Sequence, residues 1–81
     1  MEGLLTGRLA LVTGAGSGIG QGIARGMAQA GARIVAVDIN GDAARRTAQS
    51  IGGGAQSYAC DVADRGQCDA LAEAVRRELG A

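Results

Sequence analysis

Residues 9–20 read LALVTGAGSGIG, an apolar run that leads into a turn containing four glycines. A continuous apolar run is typical of a parallel β-strand whose two faces are covered by helices. Glycine adopts positive φ and has no Cβ, so backbone N–H groups in such a turn can approach a ligand closely. A helix that begins behind the turn adds unpaired N–H donors and the positive end of its dipole. The stretch therefore predicts a strand–turn–helix unit that binds a phosphate or a pyrophosphate.

The rest of the chain continues the alternation of strand and helix. We expect strands at residues 8–13, 33–37 and about 55–60, and helices at about 17–30, at 41–51 and after Asp64. Strands that alternate with helices through short connections imply a parallel sheet with right-handed crossovers. The sequence thus predicts an α/β chain, β-α-β-α-β-α, which is the first half of a doubly wound Rossmann sheet with strand order 3-2-1.

Apolar residues at helical spacing predict which face of each helix packs inward. The expected inward faces are Ile19, Ile23, Met27 and Ala30 in the first helix, Ala44, Thr47, Ala48 and Ile51 in the second, and Cys68, Leu71, Ala72, Val75 and Leu79 in the third. Asp64 is the expected N-cap of the third helix, and Gln67 would complete a capping box. Glu73 is expected to pair with Arg76 or Arg77.

Composition limits the domain count and the chemistry. The chain has 81 residues, which allows one small domain, and its eight acidic and eight basic residues cancel. All eight basic residues are Arg, and they form no basic stripe, so we expect no nucleic-acid partner. The sequence has no His and no Lys. It therefore cannot form a Ser-His-Asp triad, a His metal site or a Schiff base, and we expect no metal site.

The cysteines and the apolar runs bear on location. Cys60 and Cys68 form neither a CxxC motif nor a disulfide framework, so we interpret them as reduced small side chains in the cytoplasm. The sequence shows no signal-peptide pattern, and its apolar runs are far shorter than the ~20 residues that span a bilayer. We accordingly expect a cytoplasmic protein without a membrane partner.

The glycine spacing narrows the type of turn. The strict GxGxxG pattern fails because position 19 is Ile, whereas Thr13, Gly14, Gly18 and Gly20 satisfy TGxxxGxG and the full wording TGxxxGIG. This motif resembles the cofactor turn of the short-chain dehydrogenase/reductase family. The resemblance assigns Gly14 to the tight turn, Gly18 to close approach of the pyrophosphate and Gly20 to helix–strand packing. It also places Ser17 and Ile19 against the cofactor.

Two acidic positions extend the expected cofactor site. Asp38 ends the second strand, 18 residues after Gly20, where a carboxylate can accept hydrogen bonds from the ribose hydroxyls of adenosine. The same carboxylate would repel a 2′-phosphate, so we expect NAD in preference to NADP, with Ile39 beside the adenine. In the resembled family an Asp-Val pair after the third strand holds the adenine, which assigns that role to Asp61 and Val62.

The resemblance covers only the first third of a family member. Family members transfer hydride between NAD(H) and an alcohol or carbonyl substrate with a Tyr-x-x-x-Lys pair. Tyr58 is followed four positions later by Val62, so it is not that tyrosine. We therefore expect residues 1–81 to be a partial cofactor-binding domain that stops before the fourth strand, with its catalytic residues beyond Ala81. The chain alone should be inactive, and the full-length enzyme is expected to be a homo-oligomer.

Two other functions stay open at this point. The run from Gly14 to Gly18 also satisfies the GxGxG turn of methyltransferases that use S-adenosylmethionine, and Asp38 would bind its ribose in the same way. That class usually carries an acidic residue just before the turn, where this chain has Val12 and Thr13. A nucleotide-binding module without catalysis is the second alternative, because the chain carries no catalytic set.

Overall fold

The structure is a computed structural model that describes residues 5–80. Its elements are β1 (Leu9–Thr13), α1 (Gly18–Gln29), β2 (Arg33–Asp38), α2 (Gly41–Ile51), β3 (Gln56–Ala59) and α3 (Arg65–Leu79). All six expected elements are present in the expected order, and each expected boundary differs by at most one residue. No helix between residues 5 and 80 combines the length and the apolar character needed to cross a membrane.

The three strands form one parallel sheet. β1 pairs with β2, with Leu9 opposite Arg33, and β2 pairs with β3, with Val35 opposite Gln56. The order β1-β2-β3 confirms the predicted 3-2-1 arrangement and the α/β Rossmann topology. Because all three strands run in one direction, their carboxyl ends lie along the same edge of the sheet.

Helices cover the sheet on two faces and bury β2 most completely. On one face, Ile34 and Ala36 of β2 pack with small side chains of α1 and α2, including Ala24 and Ala44. On the other face, the partners of α3 are Val35 and Val37 of β2, Tyr58 of β3, and Cys60. β2 has a strand on each side and helices on both faces, so its side chains are the centre of the core.

The predicted inward face of α1 is wrong. Ile19 is 82% exposed, and Ile23 and Met27 also face outward, whereas Gly20 and Ala24 are buried. The first turn of α1 lies so close to the glycine turn that a Cβ at Gly20 would overlap the backbone of Gly14. Close approach of the two backbones at Gly20 therefore turns this face inward, although the larger apolar side chains lie on another face. Ala30 alone of the expected set is buried.

β1 also differs from its expected environment. Leu11 is 45% exposed, so the helices within residues 5–80 do not cover both faces of this strand as expected. The side chains packed beneath α3 come mainly from β2 and β3, and Leu9 is the only β1 residue among them. β1 has one strand neighbour within the described residues, which leaves its other edge unpaired.

The second and third helices follow their predicted faces more closely. Ala44, Thr47 and Ala48 are buried in α2, and Ile51 packs against the same core. In α3, Val75 is buried while Cys68, Leu71 and Leu79 are half-buried; Ala72 is exposed, against expectation. Glu73 pairs with Arg76 on the solvent side, as predicted.

The N-terminus of α3 confirms only half of the expected capping box. The Asp64 carboxylate accepts a hydrogen bond from the backbone N–H of Gln67 at 3.0 Å. The Gln67 side chain does not return to Asp64 but accepts from the N–H of Asp61 at 2.8 Å. It therefore holds the loop that follows β3, rather than closing the first turn of the helix.

Candidate functional site

The glycine turn between β1 and α1 is held by its own hydrogen bonds. Gly14 adopts φ 65°, and the N–H of Ala15 donates to the carbonyl of Val37 at 2.9 Å. The Ser17 hydroxyl donates to the carbonyl of Gly14 at 2.8 Å and accepts from the N–H of Gly20 at 3.0 Å. Ser17 is thus the N-cap of α1, a role that fits its residue type. The turn has a defined shape without any ligand.

The three motif glycines differ in why glycine is needed. Gly14 has a positive φ that an L side chain rarely adopts. A Cβ at Gly20 would overlap the backbone of Gly14. At Gly18 neither reason applies, because its φ is ordinary and a Cβ would meet no atom within 4 Å. The fold itself does not require glycine at position 18, and the space beside it is open.

The first turn of α1 presents free hydrogen-bond donors. The backbone N–H groups at the start of a helix have no partner within that helix. Ser17 satisfies the N–H of Gly20, but the N–H groups of Gly18 and Ile19 have no acceptor within residues 5–80. The first turn also lacks an acidic side chain, so no carboxylate offsets the positive end of the helix dipole. These features suit an anionic group.

The carboxylate of Asp38 is fixed against the glycine turn. Oδ2 accepts from the N–H of Gly16 at 2.9 Å, and Oδ1 accepts from the N–H of Asn40 at 2.9 Å. A Cβ at Gly16 would lie 2.5 Å from Cβ of Ala43 and 2.9 Å from Asp38 Oδ2. Gly16 was not predicted to belong to the dehydrogenase-type site. Its position between Gly14 and Gly18 was the sequence feature that could have indicated it.

A cleft of about 250 Å³ lies at the carboxyl ends of the strands. The predicted residues Ile39 and Val62 line it and are 72% and 56% exposed. Two carboxylates and no cationic side chain contribute to its wall. The full lining is Gly14, Val37, Asp38, Ile39, Cys60, Asp61 and Val62. The fold therefore brings together one end of the glycine turn and both predicted acidic positions.

The remaining predicted residues lie in the turn and the first turn of α1 rather than in the cleft wall. Ser17, Gly18, Ile19 and Gly20 continue directly from the turn that Gly14 begins. A larger depression of about 460 Å³ lies at the other end of the strands, at their amino ends, beside Arg8 and Arg33. Ligands of open α/β sheets bind at the carboxyl ends of the strands, so the cleft beside the glycine turn is the candidate site.

The loop after β3 is ordered by local hydrogen bonds. Asp61 Oδ1 accepts from the N–H of Ala63 at 2.9 Å, which is an Asx-type turn. Cys60, interpreted from the sequence as a small reduced side chain, is buried and also reaches the cleft. Burial raises the pKa of the Cys60 thiol, and the neighbouring Cys68 thiol raises it further. Cys60 is therefore protonated at neutral pH.

Tyr58 lies outside the cleft. It is a β3 residue whose hydroxyl donates to Oε2 of Glu78 on α3 at 2.7 Å. Partial burial raises the pKa of the Tyr58 hydroxyl, with a further contribution from Glu78. A raised pKa is the opposite of what a tyrosine that gives up its proton would need. Within residues 5–80, no group of three or more Cys, Asp or Glu side chains is arranged to hold a metal ion.

Similarity to known proteins agrees with this geometry. The family model described as short chain dehydrogenase matches residues 8–81. D-threitol dehydrogenase from Mycolicibacterium smegmatis is 52% identical over 79 residues, which cover 94% of this chain and 30% of that protein. A 3-ketoacyl-(acyl-carrier-protein) reductase from Brucella melitensis, solved with NADH, superimposes with a TM-score of 0.88 at 42% identity, covering 94% of this chain and 31% of that one.

A second solved structure carries the other cofactor. A metagenomic short-chain oxidoreductase in complex with NADP superimposes with a TM-score of 0.84 at 38% identity, covering 94% of this chain and 36% of that one. The chain thus spans about a third of the length of these relatives. With the sheet order, the TGxxxGIG turn and the family model in agreement, the chain belongs to the short-chain dehydrogenase family of oxidoreductases.

Proposed function

We propose that this chain is the cofactor-binding segment of an NAD-dependent short-chain oxidoreductase. The observation that carries the proposal is the cleft at the carboxyl ends of the strands. There Asp38 and Asp61 lie beside exposed Ile39 and Val62, next to a helix start with free N–H groups. Polar groups for a ribose, apolar groups for a base and donors for a phosphate are the three requirements of a dinucleotide.

The described residues fit an adenine dinucleotide. The N–H groups of Gly18 and Ile19 would donate to the pyrophosphate, and the open space at Gly18 admits it. Ile39 and Val62 would flank the adenine, with the Asp61 carboxylate near its exocyclic amine. When bound, NAD supplies a nicotinamide ring that accepts or donates hydride.

Asp38 can bind a ribose although both of its oxygens are already engaged. Each oxygen accepts one backbone hydrogen bond, and an ionised carboxylate has about four lone-pair sites. One site on each oxygen is left for a ribose hydroxyl. A 2′-phosphate at the same place would face the carboxylates of Asp38 and Asp61 without a cation in the cleft wall. We therefore propose NAD in preference to NADP.

The activity of the whole enzyme is proposed from family membership. It would transfer hydride between NAD(H) and a small alcohol or carbonyl substrate. The 81 residues contain no Lys, so a Tyr-x-x-x-Lys pair would belong to a part of the enzyme outside them. We accordingly propose that residues 1–81 form a partial cofactor-binding domain without activity of their own. The full enzyme is proposed to be a cytoplasmic homo-oligomer that binds neither nucleic acid nor membrane.

Family membership argues against the methyltransferase alternative, since the family model matches nearly the whole chain. A nucleotide-binding module without catalysis makes the same binding prediction as the proposed segment. The two differ only in whether a catalytic half accompanies the cofactor site in the complete protein.

Calorimetric titration of the chain with NAD, NADP and S-adenosylmethionine tests the proposal. We expect NAD to bind more tightly than NADP and S-adenosylmethionine not to bind. Asp38→Ala should weaken NAD binding by at least tenfold and narrow the gap between NAD and NADP. Asp69→Ala is the matched control, because it removes an exposed carboxylate on α3 outside the cleft wall. Equal NAD affinity in the wild type and Asp38→Ala would remove Asp38 from the site.

A further inference from the structure

Thr47 is the only buried polar or charged side chain among residues 5–80. It lies in α2, is 1% exposed and belongs to the helix face that packs on the sheet. Its hydroxyl donates to the carbonyl of Ala15 at 2.9 Å, across 32 residues of sequence. A buried hydroxyl therefore ties the second helix directly to the glycine turn.

The bond reaches Asp38 through a single peptide group. The carbonyl of Ala15 and the N–H of Gly16 belong to the same planar peptide unit, so fixing the oxygen also fixes the N–H. That N–H donates to Oδ2 of Asp38 at 2.9 Å. One continuous path thus runs from the Thr47 hydroxyl through the peptide to the carboxylate. Hydrogen bonds in such a chain polarise one another, which strengthens the contact with the charged oxygen.

The surroundings leave the peptide little freedom. The N–H of Ala15 donates to Val37, and Gly16 is pressed between Ala43 and the Asp38 carboxylate. Asn40 holds the second oxygen of Asp38. Loss of the Thr47 hydroxyl would leave the Ala15 carbonyl buried without a hydrogen-bond donor, which costs free energy. Rotation of the peptide between Ala15 and Gly16 toward another donor would recover part of that free energy.

We propose that Thr47 is a positioning residue that sets the orientation of the Asp38 carboxylate toward the adenosine ribose. The proposal rests on the proposed NAD-binding function. Through Asp38, Thr47 contributes to the preference for an unphosphorylated ribose, although it lies outside the cofactor cleft. This role belongs to α2, which carries none of the motif residues.

Thr47→Val and Thr47→Ser form the matched test. Valine keeps the branched shape and removes the hydroxyl, whereas serine keeps the hydroxyl and removes a methyl group. In Thr47→Val we expect the Gly16 amide to exchange with solvent roughly tenfold faster, because the peptide loses its anchor. We also expect NAD to bind about three- to tenfold more weakly with little change for NADP, so the NAD/NADP ratio narrows. Thr47→Ser should restore both values toward those of the wild type.

A purely structural role of Thr47 would have a different result. Thr47→Val would then have a lower melting temperature, but the ratio of its NAD and NADP affinities, measured well below that temperature, would equal that of the wild type. An unchanged ratio together with unchanged Gly16 exchange in Thr47→Val would overturn the proposal while leaving the NAD site intact. A wild-type chain that binds no dinucleotide would instead overturn the proposed function, and this inference with it.

A measurement on the wild type covers the case in which Thr47→Val does not fold. Coupling through the hydrogen bond between the Gly16 amide nitrogen and the Asp38 carboxyl carbon, detected by NMR, is expected. The Thr47 hydroxyl proton should also exchange slowly enough to be observed. Absence of both signals in the folded wild type would refute the path from Thr47 to Asp38.

Discussion

Gly18→Ala separates the needs of the fold from those of the cofactor. Gly18 is the first residue of α1, its φ is ordinary, and an added Cβ would meet no atom within 4 Å. Alanine in a compatible conformation lowers the entropy of the unfolded chain and stabilises a protein by about 0.4–1 kcal/mol. For a domain of this size that corresponds to a rise in melting temperature of roughly 2–8 °C.

The same methyl group should impair cofactor binding. If the pyrophosphate lies against the Gly18 backbone, a Cβ there occupies its space and moves it away from the free N–H groups of Gly18 and Ile19. We expect NAD affinity to fall by at least tenfold, about 1.4 kcal/mol. Thermal unfolding followed by circular dichroism and calorimetric titration with NAD measure the two effects on one variant.

Two other glycines of α1 serve as controls. Gly22→Ala also adds a Cβ in open space, so it should stabilise the chain by a similar amount and leave NAD affinity unchanged. Gly20→Ala should destabilise the chain by about 1–3 kcal/mol or more, because its Cβ overlaps backbone atoms that cannot move aside easily. A Gly18→Ala variant that binds NAD as tightly as Gly22→Ala would refute the placement of the pyrophosphate.

Three further predictions concern the strand edge, the tyrosine and the thiols. The unpaired edge of β1 carries no charge or proline that would block pairing with another strand, so the 81-residue chain should self-associate as its concentration rises. Leu11→Lys should reduce this self-association in sedimentation experiments, and a wild type that is monomeric at all concentrations would contradict the prediction. The pKa of the Tyr58 hydroxyl is raised above its ordinary value of 10.0, so the protonated hydroxyl stabilises the fold fully below pH 10.0, and this stabilisation is lost as the pH rises through the pKa of the folded state. Tyr58→Phe should therefore lose less stability at alkaline pH than the wild type and should bind NAD equally well. Half-buried Cys68 should react with iodoacetamide before buried Cys60, because the raised pKa of the Cys60 thiol slows its reaction further. Mass spectrometry of the early products that shows Cys60 modified first would contradict this order.

The sequence predicted the elements, their order and the direction of the strands because these depend on local patterns. Apolar runs separated by glycine stops and cap residues define strands and helices, and their alternation leaves one parallel topology. The spacing of Gly14, Gly18 and Gly20 and the position of Asp38 after β2 follow from the same pattern. Parallel strands then necessarily bring the residues that follow them, including Asp61, to one edge.

Contacts between distant segments were decided only by the tertiary structure. The sequence favoured Ile19, Ile23 and Met27 as the inward face of α1, but the fold buries Gly20 and Ala24. Gly20 lies so close to the glycine turn that an added Cβ would overlap the backbone of Gly14. Hydrophobic periodicity reports the size and polarity of side chains and contains no information on the distance between backbones.

The link between Thr47 and the glycine turn shows the same division. From its spacing, Thr47 was correctly placed on the inner face of α2. Which buried carbonyl its hydroxyl meets depends on how α2 packs over β2 and β3 and beside the glycine turn, a contact between residues 32 positions apart. Local sequence therefore determines where the cofactor turn begins and what it resembles. Packing determines how the peptide between Ala15 and Gly16 is held, and so how Asp38 faces the cleft.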